Sequence, residues 1–359
     1  MPIMKRSEND AVVCEKGKPG PRYGGMKALA FLVMAHSAAA SPVIGSAFIY
    51  PEDGKPTPQC HASTIVEGKD GLVAAWFGGT KEGADDVGIW VSRHDGKGWG
   101  RPVEVAQGKD AGGKQVPCWN PVLFQPKTGP LLLFYKTGPQ IRTWRTELRS
   151  SEDGGATWGD GRQLPDGICG PVKNKPVQLA DGTLLCPTSD EPAKDRWLVH
   201  FSMSRDLGKT WTKTPALNDG EEFDAIQPTI LTHPGGKLQA LCRTREGVVS
   251  ELWSEDQGKS WSKMVATELP NPNSGIDGVT LADGRHALVY NPVRKGRSPL
   301  VLGISTDGKS WKQVHTFEQE LGEYSYRAII QAKDGTIHVT YTWKRLLVKH
   351  VALDPAKLE

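Results

Sequence analysis

The residues best suited to chemistry in this 359-residue chain are arginines, aromatic residues, a histidine and amide side chains that fall at recurring places. One set opens apolar runs: Cys60-His61-Ala62, Cys118-Trp119-Asn120, Asn174-Lys175-Pro176, Ile226-Gln227-Pro228 and Tyr324-Ser325-Tyr326. A second set closes apolar runs: Ser189-Asp190-Glu191, Arg243-Thr244-Arg245 and Trp343-Lys344-Arg345. A guanidinium fork matches a carboxylate through two parallel N–H donors, and an aromatic face stacks on a sugar ring. Cations, aromatic walls and a few carboxylates together suit an anionic sugar, so an acidic carbohydrate is the expected ligand.

Two repeats identify the elements that must bring these residues together. The phrase Ser-x-Asp-x-Gly-x-Ser/Thr-Trp occurs at Ser151 to Trp158, Ser204 to Trp211 and Ser254 to Trp261, with a shortened copy at Ser305 to Trp311 and a poorer one at Ser92 to Trp99. Asp and Ser side chains fold back onto nearby N–H groups, Gly permits positive φ and Trp fills an apolar slot, so the phrase reads as a stapled hairpin turn. Turn dipeptides at Asp70-Gly71, Thr128-Gly129, Asp181-Gly182, Gly235-Gly236, Asp283-Gly284 and Asp334-Gly335 mark a hairpin in each repeat. The period of roughly 50 residues predicts repeated supersecondary units. The expected fold is all-β: a six-bladed β-propeller of four-stranded antiparallel blades over residues 41–359.

Propeller geometry then locates the chemistry. If the Gly turn joins strands one and two, the start of strand one and the end of strand two share the opposite end of the blade. The stapled turn between strands three and four lies with the Gly turn. Function is expected on the rim away from the repeated phrase.

The stapled phrase resembles the Asp-box of the sialidase superfamily, in a divergent bacterial BNR-repeat branch, and the resemblance spans essentially the whole propeller. It implies three arginines around a substrate carboxylate, an aspartate as acid/base, and a tyrosine nucleophile paired with a glutamate. Residue by residue, it places Arg243 or Arg245 and then Arg297 in the carboxylate clamp, and Tyr324 in Glu323-Tyr324-Ser325-Tyr326 as the nucleophile. Asp86, or Asp85 beside it, matches the acid/base, with Glu82 in reserve. The pattern departs from the family twice. His61 stands where the first arginine belongs, which argues against a three-arginine clamp, and Gln227 stands near the place of the glutamate, for which Glu222 or Glu251 offers a substitute. His61 is expected to bind the carboxylate as a cation or to act as a general base. Lys175, Asn174, Gln227, Trp119 and Tyr326 complete the expected substrate contacts.

The expected function is therefore an exported, exo-acting glycoside hydrolase of sialidase type that releases a terminal acidic sugar. The two departures leave two alternatives open: a uronate-directed polysaccharide lyase or hydrolase using His61, Tyr324 and Arg243, and a non-catalytic carbohydrate-binding propeller. Residues 1–40 read as an extension, in which Met26-Lys27, the apolar run Ala28 to Ala35 and Ala38-Ala39-Ala40 form an export signal. This predicts a secreted or periplasmic protein with no membrane span in its mature chain, and a monomer is expected. The formal net charge of +3 is dispersed, which excludes nucleic acid and an anionic membrane as indicated partners. Six cysteines have no metal-ligand spacing and no nucleotide or calcium motif is present, so no cofactor is expected.

Overall fold

The computed structural model describes residues 41–359; the expected export segment Met26 to Ala40 lies outside them. These residues form six antiparallel sheets, five of four strands and one of five. Blade one comprises Gln59–Gly68, Gly71–Gly79, Gly88–His94 and Val103–Lys109, with the short strand Gln115–Val116 added outside. Blade two is Cys118–Phe124, Leu131–Thr137, Arg145–Ser151 and Arg162–Gln163, and blade three is Val177–Gln178, Leu184–Ala193, Arg196–Ser204 and Thr212–Lys213. Blade four is Ala225–Thr232, Leu238–Thr244, Val248–Ser254 and Val265–Pro270, and blade five is Asp277–Thr280, His286–Tyr290, Leu300–Ser305 and Lys312–Glu318. Blade six takes three strands from the end of the chain, Tyr324–Gln331, Ile337–Trp343 and Leu347–Leu353, and its outermost from the start, Val43–Phe48. The first strand thus belongs to the last blade, and blade one begins only at Gln59.

Each stapled turn follows the third strand of its blade. The Ser151 hydroxyl donates to Asp153 Oδ1 at 2.8 Å and accepts from Gly155 N at 2.8 Å, while the Asp153 carboxylate takes Thr157 N at 2.9 Å and Thr157 Oγ1 at 2.6 Å. The same bonds recur around Asp206 and Asp256. Each tryptophan then seals a seam with the preceding blade: Trp211 meets Phe134 edge-on at 6.1 Å, and Trp261 stacks on Phe201 at 4.4 Å. The poorer copy keeps this role by another route, since Trp99 Nε1 donates to His350 Nδ1 of blade six at 3.2 Å. The apolar cores accordingly lie between neighbouring blades, such as Leu300, Leu302, Ile329 and Val339 between blades five and six.

Polar groups buried in these seams must be paired or neutral. His350 accepts at Nδ1, so its Nε2 carries the proton and donates to His338 Nδ1 at 3.0 Å. Burial pulls His200, His286 and His338 down to about 4, and His350 to about 3. The unfolded chain, with ordinary imidazoles near ~6.5, binds more protons than the folded one as pH falls. This contribution to stability is complete above pH ~6.5 and is lost on descent toward the folded-state values. Thermal melts should therefore show a steeper fall in Tm from pH 6.5 to 4 than from pH 8 to 6.5; an unchanged Tm down to pH 4 would contradict this assignment.

Candidate functional site

The innermost strands of four blades carry a bulge near their start, and this irregularity builds the site. Register shifts separate His61 from Thr64, Trp119 from Val122, Ile226 from Thr229 and Ser325 from Ala328. At each bulge one non-glycine residue takes a left-handed backbone: Ala62 at φ 55°, Asn120 at 36°, Gln227 at 55° and Tyr326 at 48°. Such conformations are costly and persist where surrounding structure enforces them, and a bulge re-aims the side chains beside it. Here the bulges gather His61, Gln227 and Tyr326 at the end of the channel opposite the stapled turns.

Arg243, at the end of its strand in blade four, ties this group together. Its Nη1 donates to Gln227 Oε1 at 3.2 Å and to the Tyr326 hydroxyl at 3.3 Å, and its Nε donates to Asn273 Oδ1 at 2.6 Å. Gln227 Nε2 also donates to the Tyr326 hydroxyl, at 3.4 Å. Two N–H donors thus converge on one phenol oxygen and leave its own proton to point elsewhere. Arg243 is only 8% exposed, and all three acceptors of its guanidinium are neutral.

Two further arginines stand nearby, held by carboxylates. Arg297 Nη1 donates to Glu323 Oε1 at 3.0 Å, and Arg345 Nε donates to Glu323 Oε2 at 2.9 Å. Arg345 also pairs with Glu82, which anchors the 80–86 loop of blade one to blade six. The His61 ring lies 4.3 Å from the Tyr326 ring, centroid to centroid, and is 2% exposed. Burial, followed by Arg345, Arg297, Arg243 and Lys173, pushes its pKa well below the ordinary imidazole range. His61 is therefore neutral, with Nδ1 buried and unpartnered, and the expectation that it serves as a cation does not fit its surroundings. The third guanidinium near the pocket comes instead from Arg345 on the neighbouring blade.

The other expected site residues divide. Tyr324 is not in this group: it is 1% exposed and packs in the apolar seam between blades five and six, whereas Tyr326 reaches the pocket. Glu222 sits apart on the surface, paired with Lys263 at 2.6 Å, and Glu251 accepts from Gln239 Nε2 at 2.6 Å on the middle strands of blade four. Arg245 is turned toward blade three, bound to Asp224 at 2.7 Å with its guanidinium 3.8 Å from the Trp197 ring centre. Asn174 and Lys175 brace the channel. Asn174 Nδ2 donates to the carbonyls of Gln227 and Pro228 at 2.9 and 3.0 Å, and Lys175 pairs with the buried Asp277 at 2.9 Å.

Trp119 donates to Gly138 O at 2.8 Å and lies beneath the 80–86 loop, where a side chain on Gly83 would come within 3.2 Å of its ring. Asp86 clasps that loop by accepting from Thr80 N at 2.9 Å and Thr80 Oγ1 at 2.5 Å, and its side chain is exposed. Asn273, Glu323 and Arg345 were not singled out as site residues from the sequence. Arg345 could have been found because it lies in the turn just after strand two of its blade, close to the position that Arg243 takes at the end of its own strand.

Among the described residues no group of three or more His, Cys, Asp or Glu side chains could hold a metal ion, and no helix is long and apolar enough to cross a membrane. Cys60, Cys118, Cys169, Cys186 and Cys242 are free thiols.

Residues 70–339 match the family described as a BNR repeat-like domain. No curated protein matches the chain. Among solved structures, a protein of unknown function from Dyadobacter fermentans is similar with a TM-score of 0.72 and 16% identity, over 87% of this chain and 98% of that one. The Hadza microbial sialidase Hz136 is similar with a TM-score of 0.73 and 16% identity, over 88% of this chain and 69% of that one. The intramolecular trans-sialidase from Ruminococcus gnavus, solved with oseltamivir carboxylate, is similar with a TM-score of 0.70 and 16% identity, over 89% and 99% of the two chains. At these identities the likeness shows the sialidase-type propeller fold.

The neutrality of His61 can be checked directly. In protein labelled with 15N-histidine, the His61 ring should give neutral-imidazole shifts from pH 8 down to pH 5. Arg345→Met, which removes the largest charge acting on it, should move its titration upward toward the ordinary range.

Proposed function

The chain belongs to the family of BNR repeat-like domains, and we propose that it is an exo-acting glycoside hydrolase of sialidase type that releases a terminal acidic sugar, sialic acid or a similar one, from a glycoconjugate. The observation that carries this reading is Arg243, a guanidinium with no carboxylate partner, bonded to Tyr326 and Gln227 beside Arg297 and Arg345. A sugar carboxylate supplies the missing counter-charge. The sialidases of similar fold support the glycosidase class.

In this reaction Tyr326 takes the nucleophile's part, because its hydroxyl receives the Arg243 and Gln227 donors while Tyr324 is packed away. A neutral phenol avoids the repulsion that a carboxylate nucleophile would meet from the substrate's own carboxylate. The phenol oxygen bonds to the anomeric carbon as the glycosidic C–O bond breaks, and Asp86 gives a proton to the departing oxygen. Gln227 cannot accept the phenol proton, and His61, neutral and packed on the Tyr326 ring, takes it. Burial and, after it, the arginine charges depress His61, and a bound carboxylate offsets the second of these, which raises its proton affinity at the moment it is needed. Water then releases the sugar from Tyr326 in the reverse sense.

Tyr326→Phe should lower kcat on a fluorogenic sialoside by roughly 10²–10⁴-fold with an unchanged Tm, Arg243→Met should lower kcat/KM by roughly 10²–10³-fold, and Tyr324→Phe should stay near wild type. Equal loss in Tyr326→Phe and Tyr324→Phe would remove Tyr326 from the mechanism, and no release of free acidic sugar by the wild-type protein from pH 4 to 9 would sink the hydrolase reading.

The unpartnered neutral His61 beside Tyr326 also favours a second reading, in which this pair abstracts the proton next to an arginine-bound uronate carboxylate. Ultraviolet absorbance from an unsaturated uronate would arise only then. Export to the periplasm or the medium belongs to the leading reading and is supported by the sequence from Met26 to Ala40. N-terminal sequencing of protein recovered from outside the cytoplasm should begin near Ser41.

A further inference from the structure

We propose that the channel beneath the pocket holds a small monovalent inorganic anion, a halide such as chloride, between Lys173, Arg327 and the inner side of Arg243. Lys173 is 6% exposed, and its ammonium donates to the carbonyls of Ile276 at 2.7 Å and Arg327 at 2.6 Å, leaving a third N–H unused. Arg327 is fully buried; its two terminal nitrogens donate to Ser274 Oγ, Gly275 O and Asn291 Oδ1, and its Nε has no partner. Every acceptor to which these two cations donate is neutral, and the carboxylate that acts on both is Asp277.

Lys173 and Arg327 meet at Gly275, and Arg243 is linked to it through Gln227. The Gly275 carbonyl accepts from Arg327, and a Cβ on Gly275 would lie 3.0 Å from Gln227 Oε1, the acceptor of Arg243, and 3.4 Å from Lys173 Cε. The channel's buried carboxylate, Asp277, is already engaged by Lys175 at 2.9 Å, Thr229 Oγ1 at 2.9 Å and Ile329 N at 3.0 Å. Uncompensated charges in a low-dielectric interior are costly, and like charges there repel. Burial first, partly relieved by Asp277 and reinforced by Arg327, Lys175 and Arg243, drags the Lys173 amine well below its ordinary range, so the one carboxylate acting on it does not balance the cations around it. Lys175 keeps 21% of its side chain exposed while bonded to Asp277.

A halide suits the place because it only accepts hydrogen bonds, and the unused groups of Lys173 and Arg327 are N–H donors. It lies below the sugar pocket, so the proposal stands whether or not the protein cleaves a sialoside. The test uses the full chain in sodium bromide or chloride against sodium gluconate at constant ionic strength. Above saturation, Tm should rise by about 2 °C for each tenfold increase in halide, and Lys173→Met should lose that dependence. Crystals grown in bromide should show an anomalous peak beside Arg327 Nε and Lys173 Nζ, and the peak should persist when an acidic sugar fills the pocket. Displacement by the sugar would mean that these cations serve its carboxylate, and the absence of both the peak and the halide dependence would mean that Lys173 is held neutral; either overturns the proposal.

Discussion

The pairing of the first strand with the last, Val43–Phe48 against Leu347–Leu353, is the interaction on which the site depends. A propeller closed by backbone continuity alone would leave blades one and six joined only by side-chain packing. Here the outer strand of blade six is the chain segment that runs directly into blade one. Backbone bonds reinforce the seam, from Ile49 N to Val348 O and from Cys60 N to Arg345 O, each 2.9 Å long. The functional groups straddle this seam: His61 and Glu82 come from blade one, and Tyr326, Glu323 and Arg345 from blade six. Opening the ring would separate His61 from Tyr326 before disturbing any single blade. Stability of closure and integrity of the site are therefore one property.

The second constraint is charge. Arg345, Arg297, Arg243 and Lys173 act on His61, and Arg297 and Arg243 act on Arg327, while Glu323 is shared between Arg297 and Arg345 and Glu82 pairs with Arg345. An interior with this imbalance favours an anionic occupant and disfavours protonation of any base it encloses. Burial first, and these cations after it, keep His61 neutral, and the second cause couples its proton affinity to whatever anion enters.

How much of this was legible in the sequence follows from how local each feature is. The stapled turns and Gly hairpins are short-range chemistry, written within eight consecutive residues around Asp153, Asp206 and Asp256, and they specify the blades and the face away from the site. The tyrosine was harder to read. Tyr324 and Tyr326 are two apart and would share a face in a regular strand, but the bulge after Ser325 breaks the alternation and sends only Tyr326 to the pocket. Arg243 and Arg245 likewise differ through a partner distant in sequence, since Asp224 and Trp197 capture Arg245. Asn174 and Lys175, expected to contact substrate, spend their donors on carbonyls and on Asp277, which no local pattern reveals.

His61 shows how a departure in one blade is balanced in the next. Read alone, a histidine in place of an arginine removes a cation from the pocket, and a neutral histidine removes it fully. Arg345 returns that charge from the other side of the closing seam, held at the correct edge by Glu82 and Glu323. The exchange leaves something an arginine there could not provide: an unprotonated nitrogen base packed against the phenol that Arg243 and Gln227 address. On the proposed reading, in which Gln227 stands where a carboxylate base would otherwise be, a cation from blade six and a base from blade one keep both functions in the pocket while reversing which strand supplies each.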